Sequence, residues 1–328
     1  MPAVTLLVAI YNAAETLPRC LDSLLAQTLA DIQIVCIDDA STDDTPAILA
    51  RYARADNRIT TLRLTENGGQ AHARNCGLPL AEGAFIGMVD ADDWLAPDAL
   101  EQAWKVITRY PETDAVLFDL IKVWPDGREE DYWSTTCELA DSPCWSGFEA
   151  MRLSLRWQIH GLYLVRADIH RAYPYDETAR LYSDDNTTRL HYLHSREVRP
   201  SGGRYYYFQN PRSTTQRVSV LYFESLRAQH HMQQLLADEH IASDIIDDYE
   251  QYRWLNVVDC CYFLALHRRS FTAAERRTAR RAIAEAYATF PPHFGSPRKF
   301  GYRQCRNFRH FWMQEQLYFA LRKITGKM

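Results

Sequence analysis

The 328-residue chain lacks most of the signals that place a protein quickly. No stretch approaches the ~20 apolar residues that span a bilayer, and the early run Val4 to Ile10 is too short and has neither the basic start nor the small-residue cleavage site of a secretory leader. The eight cysteines, at 20, 36, 76, 137, 144, 260, 261 and 305, form no CxxC pair. Cys36 lies inside an apolar run, where a reduced, buried thiol is expected. These absences favour a reducing cytoplasm over secretion. No GxGxxG follows the first apolar run, whose sequel is Tyr11-Asn12-Ala13-Ala14-Glu15, and no GxxxxGK followed by Ser or Thr occurs. That counts against dinucleotide oxidoreductases and P-loop enzymes. There is no internal repeat and no long low-complexity tract.

What is present is a globular composition, 47% hydrophobic and 24% charged, in a length that suits one large domain or two ordinary ones. The net charge of −5 hides an asymmetry. Arg268 to Met328 holds 14 Lys and Arg against 3 acids, a net of +11, whereas the first 267 residues hold 23 against 39, a net of −16. A basic tail can meet phosphates of lipid, nucleic acid or substrate.

Along the first 120 residues, apolar runs of strand length alternate with helical patterns. Val4 to Ile10 reads as a parallel strand covered on both faces. Asn12 then offers a helix cap with Glu15 as its reciprocal partner, ahead of an apolar stripe at Leu17, Cys20, Leu21, Leu24 and Leu25. A second strand, Ile32 to Ile37, ends in Asp38-Asp39, and Pro46 suits the first turn of a helix running to about Ala55. A third strand, Ile59 to Leu64, leads to Asn67-Gly68-Gly69, a loop that needs positive φ, and Gln70 to Leu80 is helical in character. The fourth strand is Ala84 to Val89, a helix begins at Pro97, and a fifth strand covers Ala115 to Asp119. This alternation predicts a mostly parallel sheet with helices on both faces. Ligands of such sheets bind beyond the carboxyl ends of the strands. After about residue 125 the pattern weakens: 130–147 reads as irregular, Tyr205 to Phe208 as a strand, Gln209 to Arg217 as a polar loop, and the chain from about Leu221 as helical.

The most informative segment is Phe85 to Trp94, in which a short apolar strand runs into Asp90-Ala91-Asp92-Asp93. Ionised carboxylates crowded at a strand end need positive charge close by. Two carboxylates two residues apart can face one ligand, and hard oxygens suit Mg²⁺ or Mn²⁺ shared with substrate phosphates. The plainer reading is that Asp92 or Asp93 caps the helix near Pro97. Asp38-Asp39 carries the same pair of readings, as a capping cluster with Ser41 to Asp44 or as an acceptor for a base N–H or ribose hydroxyls. Tyr11 offers a ring for a base to stack on, or for core packing.

Taken in order, VAIYNAAETLPRCLDSLLAQT, IVCIDDASTDDT and ENGGQAHARNCGLPLAEGAFIGMVDADDW resemble the nucleotide-binding half of family 2 glycosyltransferases, which have the GT-A fold. The likeness covers roughly residues 3–120. It implies a Rossmann-like mixed, mostly parallel α/β sheet with a helical C-terminal extension. The implied division is a catalytic domain at 1–220, with a nucleotide-binding half (1–120) and an acceptor half (121–220), followed by a basic helical region at 221–328. The resemblance puts Tyr11 against the base, Asp39 on a uracil, Asp90 on the ribose and Asp92 on the metal and diphosphate. Ala9, Glu15 and Ala91 fall in the same donor-binding stretches, and Asn67, Arg74 and Asn75 in the family's NxGxxxARNxG segment. Ala9 stands where many members have Pro or Thr.

Further on, Tyr175-Asp176-Glu177 and Tyr182-Ser183-Asp184-Asp185 resemble the family's later acidic motif, with Asp184 in place of the common Glu and Asp185 matching the general base. A helix start before Thr187 explains the same acids without catalysis. The loop YFQNPRSTT, Tyr207 to Thr215, resembles a segment that closes near the diphosphate, with Arg212, Ser213 and Thr214 as candidates. The family implies an inverting transfer from a UDP-sugar to a hydroxyl of a glycan or lipid-linked acceptor in bacterial surface polysaccharide synthesis, aided by Mn²⁺ or Mg²⁺. Two other classes stay open: a sugar-nucleotide-binding protein without transfer activity, and a nucleotidyltransferase, which the missing Gly- and Lys-rich start disfavours.

Other candidates carry less. His191 and His194 read as surface histidines rather than ligands, since partners at metal spacing are missing. His230-His231 cannot share a helical face, and Cys260-Cys261 suits the core. Arginines from Arg268 to Arg281, then Lys299, Arg303, Arg306 and Arg309 among Phe300, Tyr302, Phe308, Phe311 and Trp312, suit either an anionic membrane surface or a solvated face with core aromatics. The expectation is a cytoplasmic protein, peripheral on the inner face of the cell membrane, with no nucleic-acid partner given the acidic body.

Overall fold

Four strands, β1 (Val4–Ile10), β2 (Ile32–Asp38), β3 (Ile59–Arg63) and β4 (Phe85–Met88), lie side by side and parallel in the order β3-β2-β1-β4. The structure, a computed structural model, describes residues 1–132, 144–211, 213, 217–290 and 307–325. β1 and β2 are buried along nearly their whole length, as their mostly apolar runs suit strands covered on both faces. The register pairs Ile10 with Asp38 and Leu7 with Met88. Tyr11, Asp39 and Asp90 to Asp92 therefore leave the sheet at the same edge.

The connecting helices are α1 (Leu17–Leu25), α2 (Thr45–Ala55) and α3 (Gln70–Gly77), with α4 (Ala99–Arg109) following the acidic cluster. α1 buries Leu17, Cys20, Leu21 and Leu24, one stripe at helical spacing. Its start differs from the expected Asn12–Glu15 capping box: Thr16 is the N-cap, and Asn12 sits at φ 49° with its side-chain oxygen accepting from the Thr42 N–H at 2.8 Å. The amides a local cap would have satisfied are taken by the neighbouring loop instead. Asn12 N–H donates to Ser41 Oγ (3.0 Å), Ala13 N–H to Thr45 Oγ1 (3.0 Å) and Ala14 N–H to Asp43 Oδ2 (3.2 Å). α3 stops at Gly77, short of the expected Leu80; Leu78–Leu80 is a 3-10 turn, because Pro79 lacks the N–H that would continue the helix.

The sheet then changes direction. β9 (Tyr163–Arg166) inserts antiparallel between β4 and β6 (Thr113–Val123), and β10 (Glu197–Phe208) runs parallel to β6 with a register shift between Pro200 and Arg204. β5 (Trp94–Leu95) pairs antiparallel with Tyr205 and Tyr206 of β10. β7 (Glu129–Asp131) and β8 (Trp145–Ser146) are short edge pieces, followed by α5 (Gly147–Leu155). The stretch expected to be irregular from 130 to 147 thus contains these strands, with 133–143 outside the described residues. β10 begins eight residues before the expected Tyr205, because its early half is polar and held by pairing with β6 rather than by apolar pattern. α6 (Ala167–Ala172) and α7 (Asp184–Leu193) complete this region.

By internal packing the chain forms two units, residues 1–177 with 187–213, and residues 178–186 with 214–328. The second unit holds α8 (Glu224–Asp238), α9 (Ser243–Leu266), α10 (Ala273–Ala288) and α11 (Phe308–Ile324). Its core is aromatic: Trp254 meets Phe290 and Phe311 at ring distances of 5.4 and 5.3 Å, beside the buried Cys260 and Cys261. The Arg253–Glu250 pair (2.5 Å) is also buried there, with Arg253 further donating to Thr289 Oγ1.

Candidate active site

The three acids after β4 have three different surroundings. Asp90 is one-third exposed and accepts at Oδ1 from Arg74 of α3, whose side chain is fully buried; the contact is 2.5 Å. The Arg74 guanidinium also lies 5.3 Å over the ring of the buried Tyr175. Asp92 accepts at Oδ2 from the Asn210 amide at 2.9 Å, and its backbone carbonyl accepts from Arg19 at 2.7 Å. Arg19 is held by rings, 3.8 Å over Trp94 and 4.5 Å over Phe208. Asp93 is fully buried and accepts from the Phe208 N–H (2.7 Å) and the Tyr205 hydroxyl (2.8 Å). It is therefore no helix cap: α4 starts at Ala99 with Asp98 before it, and Asp93 instead anchors β10 to the acidic loop.

This crowding is electrostatically costly. Burial, reinforced by Asp90, pushes the Asp92 carboxyl above the usual carboxylate range, and the Asn210 amide offsets part of the rise. Burial together with Asp90 and Asp92 pushes Asp93 well above that range. Acids crowded at the carboxyl edge of a parallel sheet are suited to a cation. Among the described residues no three His, Cys, Asp or Glu side chains could hold a metal by themselves. Asp92 nonetheless fits the Mg²⁺ and Mn²⁺ pattern of one or two protein carboxylates with the remaining oxygens from phosphates and water.

Asp39 closes the neighbouring side. Its buried carboxylate accepts from two backbone amides, Gly68 N–H at Oδ1 and Gly69 N–H at Oδ2, both at 2.8 Å, and Asn67 Nδ2 reaches its carbonyl at 3.3 Å. Glycine is required here: Gly69 has φ 90°, and a Cβ on Gly68 would overlap the His72 ring. Asp38, next to it, accepts from Ser41 N–H and pairs with Arg63, which is the turn-forming reading of that position. Tyr11 is half exposed at the end of β1, with Ala9 two residues before it in the strand and Ala91 buried between the two aspartates. Glu15 is exposed in the turn before α1.

Some expected residues stand elsewhere. Asn75 faces the segment after α6: its amide donates to the Tyr175 carbonyl (2.8 Å) and Glu177 Oε1 (2.6 Å), and its oxygen accepts from the Tyr175 N–H (2.8 Å). His72 contacts the other Glu177 oxygen at 3.0 Å. Arg212 and Thr214 lie outside the described residues; Ser213 forms a turn with Asn210 through its N–H. Asp185 is half-buried in the first turn of α7. His191 is not a surface residue. It is fully buried, accepts at Nδ1 from the Tyr163 hydroxyl (2.6 Å) and donates from Nε2 to the Tyr173 carbonyl (2.7 Å). Arg19, Tyr205 and Asn210 were not singled out from the sequence. Only Asn210 had a signal, its place in the YFQNPRSTT loop.

Residues 5–145 match the model of glycosyl transferase family 2. EpsH of Bacillus subtilis is 43% identical over 116 residues, which are 35% of this chain and 33% of that protein. The succinoglycan biosynthesis protein ExoO of Rhizobium meliloti is 41% identical over 102 residues, 31% of this chain and 29% of that one. The chain thus spans a third or less of the length of these curated relatives. Among solved structures, Staphylococcus aureus TarS 1-349 in complex with UDP-GlcNAc superposes with a TM-score of 0.72 at 17% identity, covering 100% of this chain and 93% of that one. A mannosyltransferase of Pyrobaculum calidifontis in complex with GDP-Man and Mn²⁺ gives 0.54 at 20% identity, covering 100% and 88%. At such identities the likeness establishes the fold, GT-A.

Proposed function

We propose, from a chain whose residues 5–145 match the family 2 glycosyltransferase model, that the whole protein is an inverting glycosyltransferase. It moves a sugar from a UDP-sugar to a hydroxyl of a glycan or lipid-linked acceptor in surface polysaccharide synthesis. One observation carries the reading: Tyr11, Asp39 and the Arg74–Asp90 and Asn210–Asp92 pairs share the carboxyl edge of one parallel sheet, where such sheets bind ligands. The relative named for succinoglycan biosynthesis supports the polysaccharide context, and the UDP-GlcNAc complex of the structural neighbour supports the donor class.

In this reading Tyr11 stacks on the base and Asp39 receives its N–H, using the lone pairs that the Gly68 and Gly69 amides leave free. Arg74 orients the Asp90 carboxylate toward the ribose. Asp92 would hold a divalent ion such as Mn²⁺ or Mg²⁺, which when bound would neutralise charge on the departing nucleotide. Asn210 orients the Asp92 carboxylate. Asp185 takes the proton from the acceptor hydroxyl as its oxygen attacks the anomeric carbon from the face opposite the nucleotide. The C–O bond to the diphosphate breaks as the new glycosidic bond forms, inverting the centre.

The test is release of UDP from UDP-sugars, with and without an acceptor, in the presence of Mn²⁺. Asp92→Ala and Asp185→Ala should each lower turnover by about 10²–10⁴-fold, and only Asp92→Ala should weaken donor binding. Wild-type rates in both variants would refute the assignment. Binding of UDP-sugar without turnover on any acceptor would reduce the protein to a sugar-nucleotide binder.

A further inference from the structure

Helix α11 is apolar on two faces. One is core: Phe311 and Phe319 are buried in the cluster with Trp254 and Cys261. The other is bare. Met313, Leu317, Leu321 and Ile324 are 58%, 64%, 54% and 81% exposed. Steps of four, four and three residues keep these side chains within a sector of roughly 80° over a length of roughly 16 Å. A helix on a core ordinarily shows polar residues there.

The charge beside this stripe has one sign. The single acid of α11, Glu315, is buried on the core side. Arg309 and Lys323 are exposed, and helical spacing puts both on the same flank of the stripe as Trp312. Arg280 of α10 lies 5.2 Å over the Trp312 ring, which adds another guanidinium to that flank. The region from Arg268 onward carries a net +11 in a chain that is otherwise acidic. Among the described residues no helix is long and apolar enough to cross a membrane.

We propose that α11 lies in the plane of an anionic lipid surface, with Met313, Leu317, Leu321 and Ile324 in the acyl boundary and Arg309, Lys323 and Arg280 at the headgroup phosphates. This rests on the proposed transferase reading, in which a lipid-linked acceptor gives such a surface its use. It joins the two expectations for the tail, an anionic surface and aromatics in the core. The aliphatic stripe, rather than the aromatics, faces outward, since Phe311 and Phe319 are spent on the core.

The experiment is co-sedimentation of the full chain with phosphatidylcholine vesicles, alone and with about 30% phosphatidylglycerol. The expected result is binding to the anionic vesicles at least about tenfold stronger than to neutral ones, weakened by salt. The double variant Leu317→Glu/Leu321→Glu should lose about tenfold or more of that binding. Arg309→Glu/Lys323→Glu, which changes two exposed residues, should lose a similar amount and covers the case in which the first variant misfolds. Equal binding to both vesicle types, or wild-type binding by both variants, overturns the proposal. So does a dimer in solution that Leu317→Glu disrupts while no vesicles are bound, which would make the stripe a contact between copies. The melting shift produced by UDP-sugar is recorded on the same samples. A normal shift without vesicle binding sinks the lipid surface alone, and vesicle binding without any shift sinks the donor reading alone.

Discussion

Asp93 separates from Asp90 and Asp92 by what it touches. Replacing it with Ala leaves the buried Tyr205 hydroxyl and the half-buried Phe208 N–H without their acceptor, at a cost of about 1–3 kcal/mol for the hydroxyl. Asp93→Asn keeps an acceptor oxygen and removes the charge. The folded-state pKa of Asp93 is raised, so the folded protein holds the extra proton, and this group's contribution to stability falls as pH rises from about 3.9 through the folded value. The melting temperature of Asp93→Asn relative to wild type should therefore climb as pH rises above the ordinary carboxylate range; a pH-independent difference would contradict the assignment. His191 works in the opposite sense. Burial lowers its pKa from about 6.5 to about 4, so its contribution is intact above 6.5 and is lost as pH falls toward 4. The loss is on the order of 3 kcal/mol. In denaturant titrations the stability gap between wild type and His191→Gln should narrow by that order from pH 7 to pH 4. At this scale Asp90, Asp92 and Asp39 could be read from the sequence by their place at strand ends. The separate job of Asp93 could not, because Tyr205 and Phe208 reach it across more than a hundred residues.

The elements near the site are held by side chains that imitate backbone. Asn75 pairs with both the N–H and the carbonyl of Tyr175, fastening the segment after α6 to α3. Asn75→Ala should cost about 1–3 kcal/mol. It should also raise amide hydrogen exchange at Tyr175 to Glu177 while leaving β1 and β2 protected; unchanged exchange there would dismiss the clamp. In the second unit the Thr272–Glu275 capping box begins α10, and Thr272→Ala should cost about 1 kcal/mol in chemical denaturation. The parallel strands and α1 to α4 were legible because each carries its own period and punctuation. β5, β8, β9 and the first half of β10 were not. They are short or polar, and pairing with distant strands decides them.

For the whole molecule, the uneven charge and the two packing units were only half visible. The charge split is a property of the chain itself, whereas the second packing unit takes residues 178–186 as well as 214–328, a grouping set by contacts rather than by chain order. A whole-chain measurement follows from the proposed function. A UDP-sugar with Mn²⁺ at about a hundredfold its Kd should stabilise the folded state by about 2.7 kcal/mol, visible as a rise in melting temperature that EDTA removes in large part. A screen of nucleotide-sugars in this format identifies the donor, and no shift with any of them would count against the site.

The amino-acid order alone determined the alternation of β1 to β4 with their helices, and so the edge at which Tyr11, Asp39 and Asp90 to Asp92 gather. Local periodicity and turn chemistry suffice for that, since each strand and helix is specified by residues within it. Tertiary structure alone decided which of the acids meets Arg74, which meets Asn210 and which is sealed beneath Tyr205. It also decided that α11 turns its aromatics inward and its aliphatics out. Those outcomes depend on pairings between segments far apart in the chain, where the side chain's neighbours, rather than its own type, set its charge and exposure.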